Sequence, residues 1–182
     1  MYIQTEETPN PSTLKFIPGI VVMKAGTAAF AAKKDCAKSP LAEKLFDIEE
    51  VKGIFFGSNF LSITKQENTN WDILKTEVIA TIMDHIVSGG EIYLDQEAKK
   101  KEVSTEDSEL VTQIKELIEE RVRPAVAMDG GDIVFSRFED GVVYLELHGS
   151  CSGCPSSSVT LKNGIETMLK HFIPEITSVE EV

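Results

Sequence analysis

The stretch Cys151-Ser152-Gly153-Cys154-Pro155 puts two of the three cysteines two residues apart, at the start of a predicted helix. Pro155 suits a first helical position, because its φ is already helical and its missing N–H would be unsatisfied there anyway. Gly153 lets the backbone curl and bring N–H groups toward a sulfur. The positive end of a helix favours thiolates, so lowered thiol pKa values are expected. Only residues 155–182 follow, room for one helix and one short strand.

Four chemistries use cysteines at this spacing. A structural disulfide fits poorly. The cysteine count is odd, and residues 1–7 have neither the basic region nor the apolar stretch of a secretion signal. A thioredoxin-like dithiol needs more elements after its motif than the remaining chain supplies. Structural zinc wants four ligands from one chain, and here only His148 and the distant Cys36 are available to join the pair. An iron–sulfur cluster also usually takes four thiolates. One chain offers two, so two chains would share it.

Composition removes some partners. A net charge of −12 argues against nucleic acid, whose binding needs a basic surface. No apolar run approaches a membrane span. Without a signal or an Arg-rich transit segment, the expected location is the bacterial cytoplasm, with the mitochondrial matrix as the alternative if the protein is organellar.

The chain reads as two small α+β domains, residues 1–90 and 105–182, joined by a charged linker at 91–104. In the first, the turn Thr8-Pro9-Asn10-Pro11 separates extended segments at 2–5 and 13–17. Ser39-Pro40 opens a short helix, and strands at 53–56 and 60–64 form a hairpin. Asn70 caps a helix in which Leu74, Val78, Ile82 and Ile86 recur at helical spacing. Cys36 lies between Lys34 and Lys38, whose charge favours a thiolate, yet a lone cysteine reads best as incidental. In the linker, three lysines between glutamates read as a solvated face.

The second domain is expected to run α-β-β-α-β. A helix starts near Thr105 with Glu106 and Asp107 in its first turn, and Arg123-Pro124 should end it. Asp129-Gly130-Gly131-Asp132 reads as a tight turn placing a strand; the two aspartates alone gather no cation site. Strands at 133–138 and 142–148 turn at Asp140-Gly141. Val143, Leu145 and Leu147 share the core face, and His148 points the other way. The helix from Pro155 should bury Val159, Leu161, Ile165, Leu169 and Phe172, with a last strand at 176–179.

These residues resemble a family. Residues 120–126, Asp129-Gly130-Gly131-Asp132 and 147–155, continued through 156–166, are similar to the C-terminal domain of the NifU-like (Nfu) iron–sulfur proteins. Thr8-Pro9-Asn10-Pro11, Lys15-Phe16, Pro18-Gly19, Ser39-Pro40-Leu41-Ala42, Leu45-Phe46 and Trp71 resemble the Nfu N-terminal domain. The resemblance implies a non-enzymatic carrier. It would hold a [4Fe–4S] cluster, with [2Fe–2S] as the alternative, between two subunits and transfer it to apo-proteins. The ligands it implies are Cys151 and Cys154, and the implied partners are a second copy, client apo-proteins and upstream assembly proteins. Full-length NifU has in addition a cysteine-bearing scaffold domain and a ferredoxin-like domain, which this chain lacks, so transfer or storage is the expected role. A dithiol oxidoreductase and a zinc-stapled interaction module remain the alternatives.

Overall fold

The first half of the chain builds a five-stranded sheet, with apolar and polar side chains alternating in Thr13–Ile17 and Leu61–Lys65. Its strands are β1 (Gln4–Glu7), β2 (Thr13–Ile17), β3 (Ala28–Phe30), β4 (Val51–Phe56) and β5 (Leu61–Lys65), ordered β1-β2-β5-β4-β3 with antiparallel pairing throughout. The computed structural model describes residues 2–94, 108–152 and 155–182, the stretch 155–158 by its backbone alone. The chain divides into two units, Met1–Ala98 and Lys99–Val182.

Two helices complete the first unit where their caps predict them. The Ser39 hydroxyl accepts from Ala42 N at 3.1 Å and opens α1 (Pro40–Leu45). The Asn70 side chain accepts from Asp72 N at 3.0 Å and opens α2 (Trp71–Val87). Leu74, Val78 and Ile82 of α2 pack into a core with Leu14, Phe16, Ile54, Phe56, Leu61 and Ile63. Strand β3 is an addition to the sequence reading; it is three residues long and exists through its pairing with β4. Cys36 closes a short 3₁₀ turn and is buried, 2% exposed. Burial pushes its thiol up to about 11, so the neighbouring lysines do not activate it.

Packing continues past Gly90. Ile92 is buried in the first core, Ser39 Oγ donates to its carbonyl at 2.7 Å, and Leu94 N donates to Lys38 O at 2.8 Å. The first four positions assigned to the linker thus belong to the first unit. The remainder of the linker and the helix start expected at 105–107 lie outside the described residues.

In the second unit the Ser108 side chain accepts from Val111 N at 3.3 Å and opens α3 (Glu109–Leu117). The expectation that Arg123-Pro124 ends this helix is corrected: a π turn at Ile118–Val122 leads directly into α4 (Arg123–Met128). A proline ring normally collides with the carbonyl four residues back. Here Arg123 N donates to Ile118 O, five residues back, and this wider turn lets the helix pass Pro124.

Strands β6 (Gly131–Glu139) and β7 (Val142–Gly149) form an antiparallel hairpin through Asp140 (φ 49°) and Gly141 (φ 82°). Helix α5 (Pro155–Phe172) then returns the chain so that β8 (Ser178–Glu181) pairs in parallel with β7. The order α-β-β-α-β and the α+β class stand. Two expected core positions do not: Val159 is 58% and Phe172 46% exposed. Ile165 and Leu169 are buried as expected and Ile173 continues their stripe, while the Phe172 ring stacks under the Arg121 guanidinium at 4.9 Å. Among the described residues no helix is long and apolar enough to cross a membrane.

Candidate metal centre

The candidate site grows from two turns that face each other at one end of the β6–β7 hairpin. On one side α4 ends at Gly130, whose φ of 79° suits glycine and whose N–H donates back to Ala127 O at 3.1 Å. On the other, β7 ends at Gly149 (φ 65°), and Ser152 N closes a turn onto Gly149 O at 3.2 Å. The buried Ser150 fastens the two together. Its hydroxyl donates to Asp129 O at 2.5 Å, and its N–H donates to Gly130 O at 3.2 Å.

Cys151 stands on this braced turn and is 5% exposed, counted within the core of the second unit. Gly131 pairs with Gly149 across the hairpin. A β-carbon on Gly131 would lie 2.4 Å from Cys151 Sγ, 2.9 Å from His148 O and 3.1 Å from Cys151 N. Only glycine leaves that space.

The turn before β6 has an ionic anchor. Asp132 is buried, and Arg123 clamps its carboxylate with two bonds, Nε to Oδ1 at 2.7 Å and Nη2 to Oδ2 at 2.6 Å. The same guanidinium donates to both oxygens of Glu119 at 2.7 Å, and these partners hold its pKa above the usual arginine value. Asp132 is therefore committed to an arginine, and Asp129 serves the site through its carbonyl. This agrees with the reading of the segment as a strand-placing turn rather than a cation site.

One expectation is reversed. Burial pushes the Cys151 thiol up to about 11 against the lowering influence of Ser150, and Asp129, Asp132 and Glu181 push in the same direction as burial. Desolvation is the largest of these causes. The sign follows from an ordinary thiol value of 9.0. The folded chain keeps its proton between pH 9 and 11, whereas the unfolded chain gives it up. The stability contributed is complete below pH 9 and is lost as pH rises to about 11. Metal-free protein is expected to lose stability over that window, and Cys151→Ala to lose less; urea midpoints at pH 8, 9 and 10.5 check this.

Gly153 and Cys154 lie outside the described residues, and α5 begins immediately after them at Pro155. His148 is where the strand pattern predicts it, its ring 3.6 Å from Glu146 on the face away from the core. Its carbonyl, not its ring, faces the site. Among the described residues no three of His, Cys, Asp and Glu converge on one metal position. The roles of Gly131, Ser150 and the Arg123–Asp132 pair were not read from the sequence. A glycine at the head of a strand is one usable signal, since it often marks a close approach.

The fold and this site define a class: a two-unit α+β protein with Cys151 on the turn that ends β7, shortly before α5 begins. Comparison with known proteins is specific. Residues 3–89 match the family described as the scaffold protein Nfu/NifU N-terminal domain, and residues 114–180 match the NifU-like domain. Over its whole length the chain is 49% identical to the human NFU1 iron-sulfur cluster scaffold homolog, mitochondrial, spanning 72% of that protein. It is 50% identical to NifU-like protein 4, mitochondrial, of Arabidopsis thaliana, again over the whole chain and 66% of the relative. A solution structure of a NifU-like protein from Saccharomyces cerevisiae is 25% identical with a TM-score of 0.47, covering 53% of this chain and 87% of that one. The chain belongs to the Nfu family, with both its N-terminal and its NifU-like domain.

Proposed function

We propose that the protein is an iron–sulfur cluster scaffold and carrier. It holds a [4Fe–4S] cluster between two subunits through Cys151 and Cys154 and hands it to apo-proteins. The observation that carries the reading is the braced turn presenting Cys151, with a second cysteine three positions on in the sequence, in a chain with relatives named iron-sulfur cluster scaffold homologs. Thiolates are soft donors suited to iron–sulfur clusters. With two cysteines per chain, a cluster that takes about four is incomplete without a second copy. Such a site opens between subunits, and incoming thiolates of a client replace outgoing ones in steps. The role is carriage rather than catalysis, and the partners are apo-proteins and the assembly proteins upstream.

A dithiol oxidoreductase would instead show a reversible intramolecular disulfide and catalytic turnover. A closed zinc staple would need four ligands from one chain, and the third cysteine, Cys36, is buried in the core of the first unit. The relatives' names support the mitochondrial alternative and give the cytoplasmic expectation no support. We assign cluster binding to the NifU-like domain, tethered by the charged linker, and client choice to the N-terminal domain. Anaerobic reconstitution with iron and sulfide, followed by metal and sulfide analysis and a visible spectrum, tests the reading. A brown protein with matching iron and sulfide is expected; a colourless one with stoichiometric zinc, or one cycling a disulfide with turnover, would replace it.

A further inference from the structure

Gly131 has no left-handed φ to explain it, and it heads a strand, where a β-branched residue would pair better. What it provides is space. The Cys151 sulfur occupies the place a side chain at 131 would take, 2.4 Å from its β-carbon. The residue is 5% exposed and belongs to the second unit's core, while Ser152 beside it is exposed. A sulfur in that position faces the inside of its own chain. A cluster shared by two chains lies outside both.

We infer that Gly131 is a positioning residue: its missing side chain leaves a niche in which the Cys151 sulfur lies turned inward, and the sulfur reaches iron by swinging out of that niche. This deepens the proposed function and rests on the assignment of Cys151 as a ligand. The movement is a side-chain rotation, because the loop backbone is fastened by Ser150 to Asp129 and Gly130. It gives the unloaded protein a shielded thiol and the loaded protein an exposed one. A methyl group at position 131 closes the niche. The sulfur is the end of a rotatable side chain and yields first; the backbone oxygen of His148, at 2.9 Å, must also shift, and Cys151 N, at 3.1 Å, gives by a few tenths of an ångström.

The test uses the metal-free full chain with Cys36→Ser, so that 151 and 154 are the remaining thiols. Iodoacetamide labelling of each is followed in time by peptide mass under native conditions, with circular dichroism to establish folding. Gly131→Ala is expected to raise the Cys151 labelling rate about tenfold, since labelling follows the population of the outward conformer. An unchanged rate in the folded variant overturns the inference. Should Gly131→Ala unfold the unit, stability is compared in two backgrounds. The destabilisation by Gly131→Ala is expected to fall by about half or more when Cys151→Ala removes the sulfur. Equal destabilisation with and without the sulfur overturns the inference equally. Iron loading of Cys151→Ser separates this from the reading beneath it. Full iron there overturns the ligand assignment and the outward movement with it, whereas a failed labelling result leaves the ligand assignment standing.

Discussion

Serine at position 151 or 154 is expected to reduce iron retained after anaerobic reconstitution to roughly a tenth of the native protein or less. The substitution keeps the size and removes the donor. A serine hydroxyl ionises far above neutral pH and is a hard oxygen, so it replaces a thiolate poorly on iron. Both positions should behave alike, because a shared cluster loses two of its four ligands when each chain loses one. Cys36→Ser is expected to load as the native chain does. Its sulfur is buried in the other unit, pointing toward Ala32 O at 3.7 Å, with a thiol that burial pushes up to about 11. Iron and sulfide determination on the three variants, alongside the visible spectrum, decides the matter. Loss of iron in Cys36→Ser would mean a different ligand set.

The second large effect concerns the anchor beneath the site. Arg123→Ala is expected to cost about 3–5 kcal/mol, because it strands the buried Asp132 carboxylate without its guanidinium. That is a large part of the ~5–15 kcal/mol that holds a domain folded. Arg123→Lys should recover only part, since an ammonium cannot make both bonds of the fork. The contact with the half-exposed Glu119 contributes little. The consequence is local. Each unit has its own core, and the single tryptophan, Trp71, packs against the first. In urea the variant should show an early loss of part of the helical circular dichroism while tryptophan fluorescence keeps its midpoint. A shift below about 1 kcal/mol would mean that Asp132 finds compensation elsewhere.

Elements whose signals are local were legible in the sequence. The caps Ser39 and Asn70, the turn at Asp140-Gly141 and the proline opening α5 all stand where their chemistry predicts. What escaped depends on distant partners. Strand β3 needs β4 to exist, and Val159 turned outward because the stripe chosen by the sheet passes through Ile173. Pro124 reads as a stop, since no residue pattern announces a π turn. The candidate site divides the same way. The cysteine spacing is written in the chain, but the depth of Cys151 is set by Gly131, twenty positions earlier in the sequence, and by Ser150 reaching back to Asp129. Burial by those partners reversed the expected direction of the thiol pKa.

The central claim is that one cluster is held by two chains, so that loading and dimerisation are a single event. Mass action then ties apparent cluster affinity to protein concentration. Sedimentation of metal-free and reconstituted protein under anaerobic conditions, at micromolar concentration with iron measured in each fraction, tests it directly. The account predicts a metal-free monomer, a loaded dimer carrying about four irons per two chains, and a return to monomer when the iron is chelated. A loaded protein that sediments as a monomer with a full cluster would contradict it.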